Sequence, residues 1–201
     1  MSSLKSLQKS LEEASSNSAH SFTAEDVMEI LGRNLPDWSE IEPLVPHDHP
    51  YGRITLFENE VFEVMIGCWD EGNWCDAHDH GPSVGAVYAY LGEIEHTSYA
   101  LNEGVLEATE RCCLSKEDLL PLGLGMIHSL TNTRSTEPFV GLHIYSPPTS
   151  NVRVFHIATG DIYHVTNDQG AWVPTDPKNI KHIERKAFRF RNLSVEETLN
   201  N

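Results

Sequence analysis

The apolar positions of the first 45 residues recur with a helical period. Leu4, Leu7 and Leu11 fall on one face of an amphipathic helix. A second helix is predicted in TAEDVMEILGR. Thr23 is a suitable N-cap, Asp26 stands three residues on, and Val27, Ile30 and Leu31 then form an apolar stripe. From about residue 50 the period changes to two. YGRITLF, EVFEVMIGCW, SVGAVYAYL, EIEHTSYAL, VLEATERCCL, MIHSLTN, FVGLHIYS, VRVFHIA and DIYHVT are short strand-like runs, most of them separated by Gly, Pro, Asn or Asp. Many short strands at close spacing predict an antiparallel barrel or jelly roll rather than a parallel sheet. The expected organisation is a helical segment, residues 1–45, packed on a β-barrel domain, residues 46–201, with a C-terminal extension. Residues 165–201 are mixed and polar. Within them KAFRFRNL is expected to add an edge strand, and VEETLNN to end the chain as a frayed tail.

Composition narrows the class of partner. The chain has 201 residues and a net charge of −16. Such a field argues against a nucleic-acid or anionic-membrane partner, and an anionic substrate needs a local cation inside a site. No stretch approaches the roughly 20 apolar residues of a membrane span. The N-terminus MSSLKSLQKSLEEASS lacks the apolar core of a signal peptide. Cys68, Cys75, Cys112 and Cys113 include no CxxC pair, so reduced thiols and a cytoplasmic location are expected.

The triplet His-Asp-His occurs twice, in PHDHP at 46–50 and in AHDHG at 77–81. Pro46 and Pro50 bracket the first copy, which reads as a solvated loop or turn. The second lies between an apolar strand with a turn-rich stretch, DEGNWCD, and a further strand. In an extended chain residues i and i+2 share a face, so His78 and His80 would project together while Asp79 faces away. Two imidazoles on one face offer two nitrogens to a metal. His128, in the predicted strand MIHSLTN, is the candidate third ligand.

Gly72, His78, His80 and Gly92 have the spacing of the first cupin motif. Gly125, His128 and Asn132 resemble the second, with Pro121 displaced from its usual place. Cupins usually carry a glutamate ligand about five residues after the second histidine. Gly85 stands there, and no Asp or Glu lies between Gly81 and Gly92. Three neutral nitrogen ligands would leave a divalent ion its full charge and an open face. Ligand type alone allows Fe(II), Zn, Ni or Cu.

The strand VGLHIYSPP puts Gly141, His143 and Tyr145 on one face. A histidine and a tyrosine so placed near a metal can form a hydrogen-bonded pair. With these residues the chain resembles the thiol dioxygenases, specifically the cysteine dioxygenase branch of the cupins in its bacterial form. The elements that carry the likeness are YGR at 51–53, CW at 68–69, HDH at 78–80, Gly92, GMIHSLTN at 125–132 and LHIYSPP at 142–148. The resemblance implies a mainly β, cupin-type antiparallel β-barrel or jelly roll with N-terminal α-helices. It implies Fe(II) held by His78, His80 and His128, with His143 and Tyr145 as the outer pair that orders reacting oxygen. Arg53 would hold the substrate carboxylate, Tyr51 and Trp69 would line the pocket, and Ser146-Pro147 would shape it, with a cis bond. A forked guanidinium also suits bidentate capture of a carboxylate.

Two positions depart from the family. Animal cysteine dioxygenases carry a cysteine where Gly85 stands, cross-linked to the tyrosine, so Tyr145 is expected to keep a free phenol. Gly141 replaces the usual serine two residues before His143, and is expected to leave space for another substrate shape or a water. The implied reaction adds both atoms of O2 to the thiol of a small carboxylate-bearing substrate, foremost L-cysteine. 3-Mercaptopropionate or mercaptosuccinate are the alternative substrates. A non-catalytic metal-binding cupin sensor is an alternative of another class, and a zinc or nickel cupin a third.

Overall fold

The computed structural model describes residues 2–17, 21–133 and 135–193. The helical spacing becomes α1 (Ser3–Asn17), α2 (Ala24–Arg33) and the short α3 (Trp38–Ile41). Thr23 caps α2 through a reciprocal pair: its hydroxyl accepts from the Asp26 N–H, and the Asp26 carboxylate accepts from the Thr23 N–H. The strands follow as β1 (Gly52–Glu58), β2 (Glu63–Trp69), β3 (Trp74–His78), β4 (Val84–Leu91), β5 (Glu93–Asn102), β6 (Val105–Ser115), β7 (Leu119–Leu122), β8 (Ile127–Thr131), β9 (Phe139–Ser146), β10 (Arg153–His156), β11 (Asp161–Val165), β12 (Ile180–Glu184) and β13 (Arg189–Arg191).

They form two sheets, ordered β1-β2-β9-β4-β7 and β12-β11-β10-β3-β8-β5-β6-β13. The pairings are antiparallel except for β13, which joins β6 in parallel at the edge of the larger sheet. This is a mainly β, cupin-type barrel with N-terminal helices. KAFRFRNL thus supplies the expected edge strand, while VEETLNN lies outside the described residues. Three strands escape the period-two reading. β3 is short and follows directly on the turn formed by Asp70 and Asn73. β7 contains Pro121, which is tolerated because β7 is an edge strand. β12 lies in the polar C-terminal region. β2 also starts later than its apolar run, because the Asn59 side chain accepts from the N–H groups of Val61 and Phe62 and turns the chain there.

β2 and β9 are buried along their whole length and pair with each other. Their alternation divides two environments. Val64, Ile66 and Cys68 of β2, with Val140, Leu142 and Ile144 of β9, pack with Leu7 and Leu11 of α1 and Val27 and Leu31 of α2. Each such leucine contributes about 1.5–3 kcal/mol by leaving water. The opposite phase, Met65 and Trp69 of β2 with His143 and Tyr145 of β9, faces a cavity whose far wall is Cys75 and His78 of β3 with His128 and Leu130 of β8. The cavity therefore lies between the sheets.

Candidate active site

His78 ends β3 and His128 lies opposite it in β8, as direct partners in the ladder. His80 follows in the turn before β4. One ring nitrogen of each lies within 4.8 Å of the others, and all three residues are buried. The His80 and His128 Nε2 atoms are 3.2 Å apart. Among the described residues no carboxylate belongs to this cluster. Burial lowers the affinity of all three rings for a proton, with added mutual repulsion at His80 and His128, so they are neutral with lone pairs available.

Their backing fixes which nitrogen is free. The His78 Nδ1–H donates to the Asp76 carbonyl at 2.8 Å. The His128 Nδ1 meets the His96 Nε2 at 3.0 Å. Both leave Nε2 for the centre, and second partners of this kind orient metal-binding imidazoles. Convergent, neutral, buried nitrogens fit a divalent cation. Asp79 faces away as expected: it is buried, and accepts from the Arg153 N–H at 2.9 Å and from its Nε at 2.6 Å.

The His143 Nδ1 lies 3.1 Å from the Tyr145 hydroxyl oxygen. Burial holds the phenol well above its usual range and pushes His143 down to about 3, so both are neutral. Gly85 is the ladder partner of Tyr145. A Cβ at Gly85 would come within 3.0 Å of the Tyr145 ring and 2.3 Å of the Ile144 carbonyl oxygen.

Gly141 does not leave the expected space. It pairs with Gly67 across β2 and β9, and the His143 ring lies over both glycines. A Cβ at Gly141 would be 3.0 Å from His143 Nε2, and one at Gly67 3.1 Å from the same atom. Val87 and Phe139 close the remaining volume. The His143 Nε2 has no hydrogen-bond partner.

Tyr51 stacks on Trp69, with ring centroids 4.5 Å apart, and its hydroxyl accepts from the Ala171 N–H. Arg53 reaches the same cavity, where its Nη1 donates to the Gln169 carbonyl at 2.9 Å and its Nη2 lies 3.8 Å from Glu63. The structure thus brings Tyr51, Arg53, Trp69, His78, His80, His128, His143 and Tyr145 to one cavity. The Ser146–Pro147 bond is cis.

Some residues of the site were not foreseen, one beside Arg53 and others in the cavity wall. Glu63 is buried, and its carboxylate accepts from the N–H and hydroxyl of Thr149. Its signal was its phase, since it shares the face of Met65 and Trp69 in β2. Cys75 lies in the cavity wall, and its sulfur accepts from the Leu130 N–H at 3.2 Å. It shares a wall with His78 despite their odd spacing because the β3–β8 register shifts between them. Burial pushes its thiol up to about 12. Asn167, Gln169 and Ala171, from the C-terminal region, close the cavity.

A mainly β barrel with three buried imidazoles around one point, and no acidic partner among the described residues, defines a metal-dependent cupin. The family description "Cysteine dioxygenase type I" matches residues 2–157. The chain is 29% identical to cysteine dioxygenase type 1 of Danio rerio over 168 residues, covering 78% of this chain and 79% of that protein. It is 30% identical to the Bos taurus protein of the same name, over 67% of this chain and 68% of that one. The human protein is 33% identical over 54% and 56%. Among solved structures, a protein from Thermus thermophilus has a TM-score of 0.45 at 20% identity, over 53% of this chain and 93% of that chain. The chain belongs to the cysteine dioxygenase type I family, and it is a thiol dioxygenase.

Proposed function

We propose that the three-histidine centre holds Fe(II) and that the substrate is L-cysteine, oxidised to cysteine sulfinic acid. The observation that carries this reading is a guanidinium and three convergent, buried imidazoles sharing one small cavity. The cavity offers about 50 Å³ to the centres of water-sized groups, which favours a substrate of a few heavy atoms.

Fe(II) bound there supplies a site where a thiol ionises and O2 is activated, so that both oxygens end on sulfur and S–H becomes a sulfinate. His78, His80 and His128 hold the ion with neutral nitrogens. Arg53 binds the carboxylate and fixes the sulfur by fixing the far end of the molecule. The Gln169 carbonyl and Glu63 set the direction of the guanidinium. His143, as the Nδ1–H tautomer, donates to the Tyr145 oxygen and turns the phenolic hydrogen toward the cavity. Tyr145 then stabilises charge that develops on oxygen during transfer. Tyr51, Trp69 and Leu130 limit access of water.

Arg53 is the one Lys or Arg among the described residues that line the cavity, and Glu63 stands beside it. A dicarboxylate such as mercaptosuccinate would lack a second cation and meet an anion. The test is incubation of the iron-loaded protein with L-cysteine and 18O2. The expected product gains two labelled atoms. Oxygen uptake that is faster with 3-mercaptopropionate or mercaptosuccinate than with L-cysteine would overturn the substrate assignment.

A further inference from the structure

The first His-Asp-His lies behind the cavity wall. His47 is in the segment that leads into β1. Its Nδ1 is 2.9 and 3.2 Å from the two Asp70 carboxylate oxygens and 3.8 Å from the Cys68 sulfur. That sulfur is 3.9 Å from the Asp70 Oδ1. The three donor atoms all lie within 4.8 Å of one another. Cys68 projects from the helix-facing side of β2, while its neighbour Trp69 lines the cavity on the other side.

A nucleophilic relay does not explain this arrangement. In a Cys-His-Asp relay the thiol and the carboxylate address opposite nitrogens of the ring. Here both lie at Nδ1. Convergence of sulfur, nitrogen and oxygen on one point is instead the pattern of ligands around an ion. A tetrahedral zinc site, with bonds of about 2.3 Å to sulfur and 2.0–2.2 Å to nitrogen and oxygen, separates its donors by roughly 3.3–3.7 Å. The observed separations bracket that range. Burial is graded as an entry path requires: Cys68 is fully buried, whereas the His47 and Asp70 side chains are 59% and 39% exposed. The open side leaves room for a water as fourth ligand.

We propose that His47, Cys68 and Asp70 form a second metal site, separate from the three-histidine centre, for a borderline divalent cation of the Zn(II) type. A cation there ties the 46–50 segment to the end of β2. Tyr51 and Arg53 follow that segment directly, and Trp69, the last residue of β2, lies between Cys68 and Asp70, so the second ion braces the substrate wall from behind.

The probes are Zn(II), counted per chain after dialysis, and Co(II), read by its thiolate-to-cobalt band in the near ultraviolet. The full chain, stripped of metal, is expected to take two Zn(II) and to develop the band. His47→Ala is a surface change that leaves the core intact, and it is expected to take one Zn(II) and lose the band. Cys68→Ser is expected to lose the band as well. Cys75→Ser and His80→Ala are expected to keep it, because they alter only the cavity. One Zn(II) per chain in the wild type overturns the proposal. So does a band that survives His47→Ala, or one that disappears in Cys75→Ser.

Discussion

His143 owes its position to one hydrogen bond, from or to Tyr145, and to packing against Trp69 above the Gly67–Gly141 pair. It touches none of the three ligand rings through a hydrogen bond. His143→Ala is therefore expected to leave the bound metal per chain unchanged while kcat falls about 10²-fold or more. Metal analysis and steady-state oxygen uptake together check this. In the proposed site Arg53 holds the substrate. Arg53→Ala removes a charge-assisted contact of about 1.5–3 kcal/mol, so the KM for L-cysteine is expected to rise roughly 10- to 100-fold. An unchanged KM would remove Arg53 from the substrate site. At this scale the clustering of His78, His80 and His128 was legible because their spacing is tied to strand geometry. Glu63 and Cys75 were not, since an acid in a strand and a lone thiol carry no spacing of their own. Cys75 also needed a register shift that no local pattern announces.

β3 ends at His78 and leads directly to His80, and it is held on both sides. β8 pairs with it through His78 and His128, and β10 through His78 and Val154. Just past its end the Asp79 carboxylate accepts N–H groups from Arg153 and from Gly81. Asp79→Ala leaves those half-buried donors without their acceptor. It is expected to cost about 2–4 kcal/mol in urea unfolding, and to weaken metal binding about 10- to 100-fold, because Asp79 sits between His78 and His80. Stability lost with metal affinity intact would show that β3 is aimed by its ladders alone. Most elements were legible from period and turn residues. β3 and β7 were not, because one is five residues long beside a turn and the other contains a proline that only an edge position tolerates.

For the molecule as a whole, the buried histidines make folding depend on pH. Burial lowers His143 to about 3 and His96 to about 4, against 6.5 for a free imidazole, and it lowers the three ligand rings too. Below pH 6.5 the unfolded chain takes up protons that the folded chain refuses, down to those lowered values. Stability of the metal-free protein is therefore expected to fall as pH drops from 6.5 toward 4, by up to about 1.4 kcal/mol per pH unit for each such group. From 7 to 8 these groups contribute no slope. Thermal unfolding between pH 6.5 and 4.5 measures the slope, and a flat profile there would mean that the rings accept protons in the folded state. At this scale the barrel was legible from the change of period at residue 50. The way distant segments enclose one space was not, because that depends on contacts far apart in the chain. The family match ends at residue 157, yet Asn167, Gln169 and Ala171 complete the cavity, and the Gln169 carbonyl grips Arg53. The three-histidine cluster and the residues that complete the cavity around it are thus written in separate stretches of the chain. Changes in the later stretch would reach the guanidinium through the Gln169 carbonyl without touching the three imidazoles.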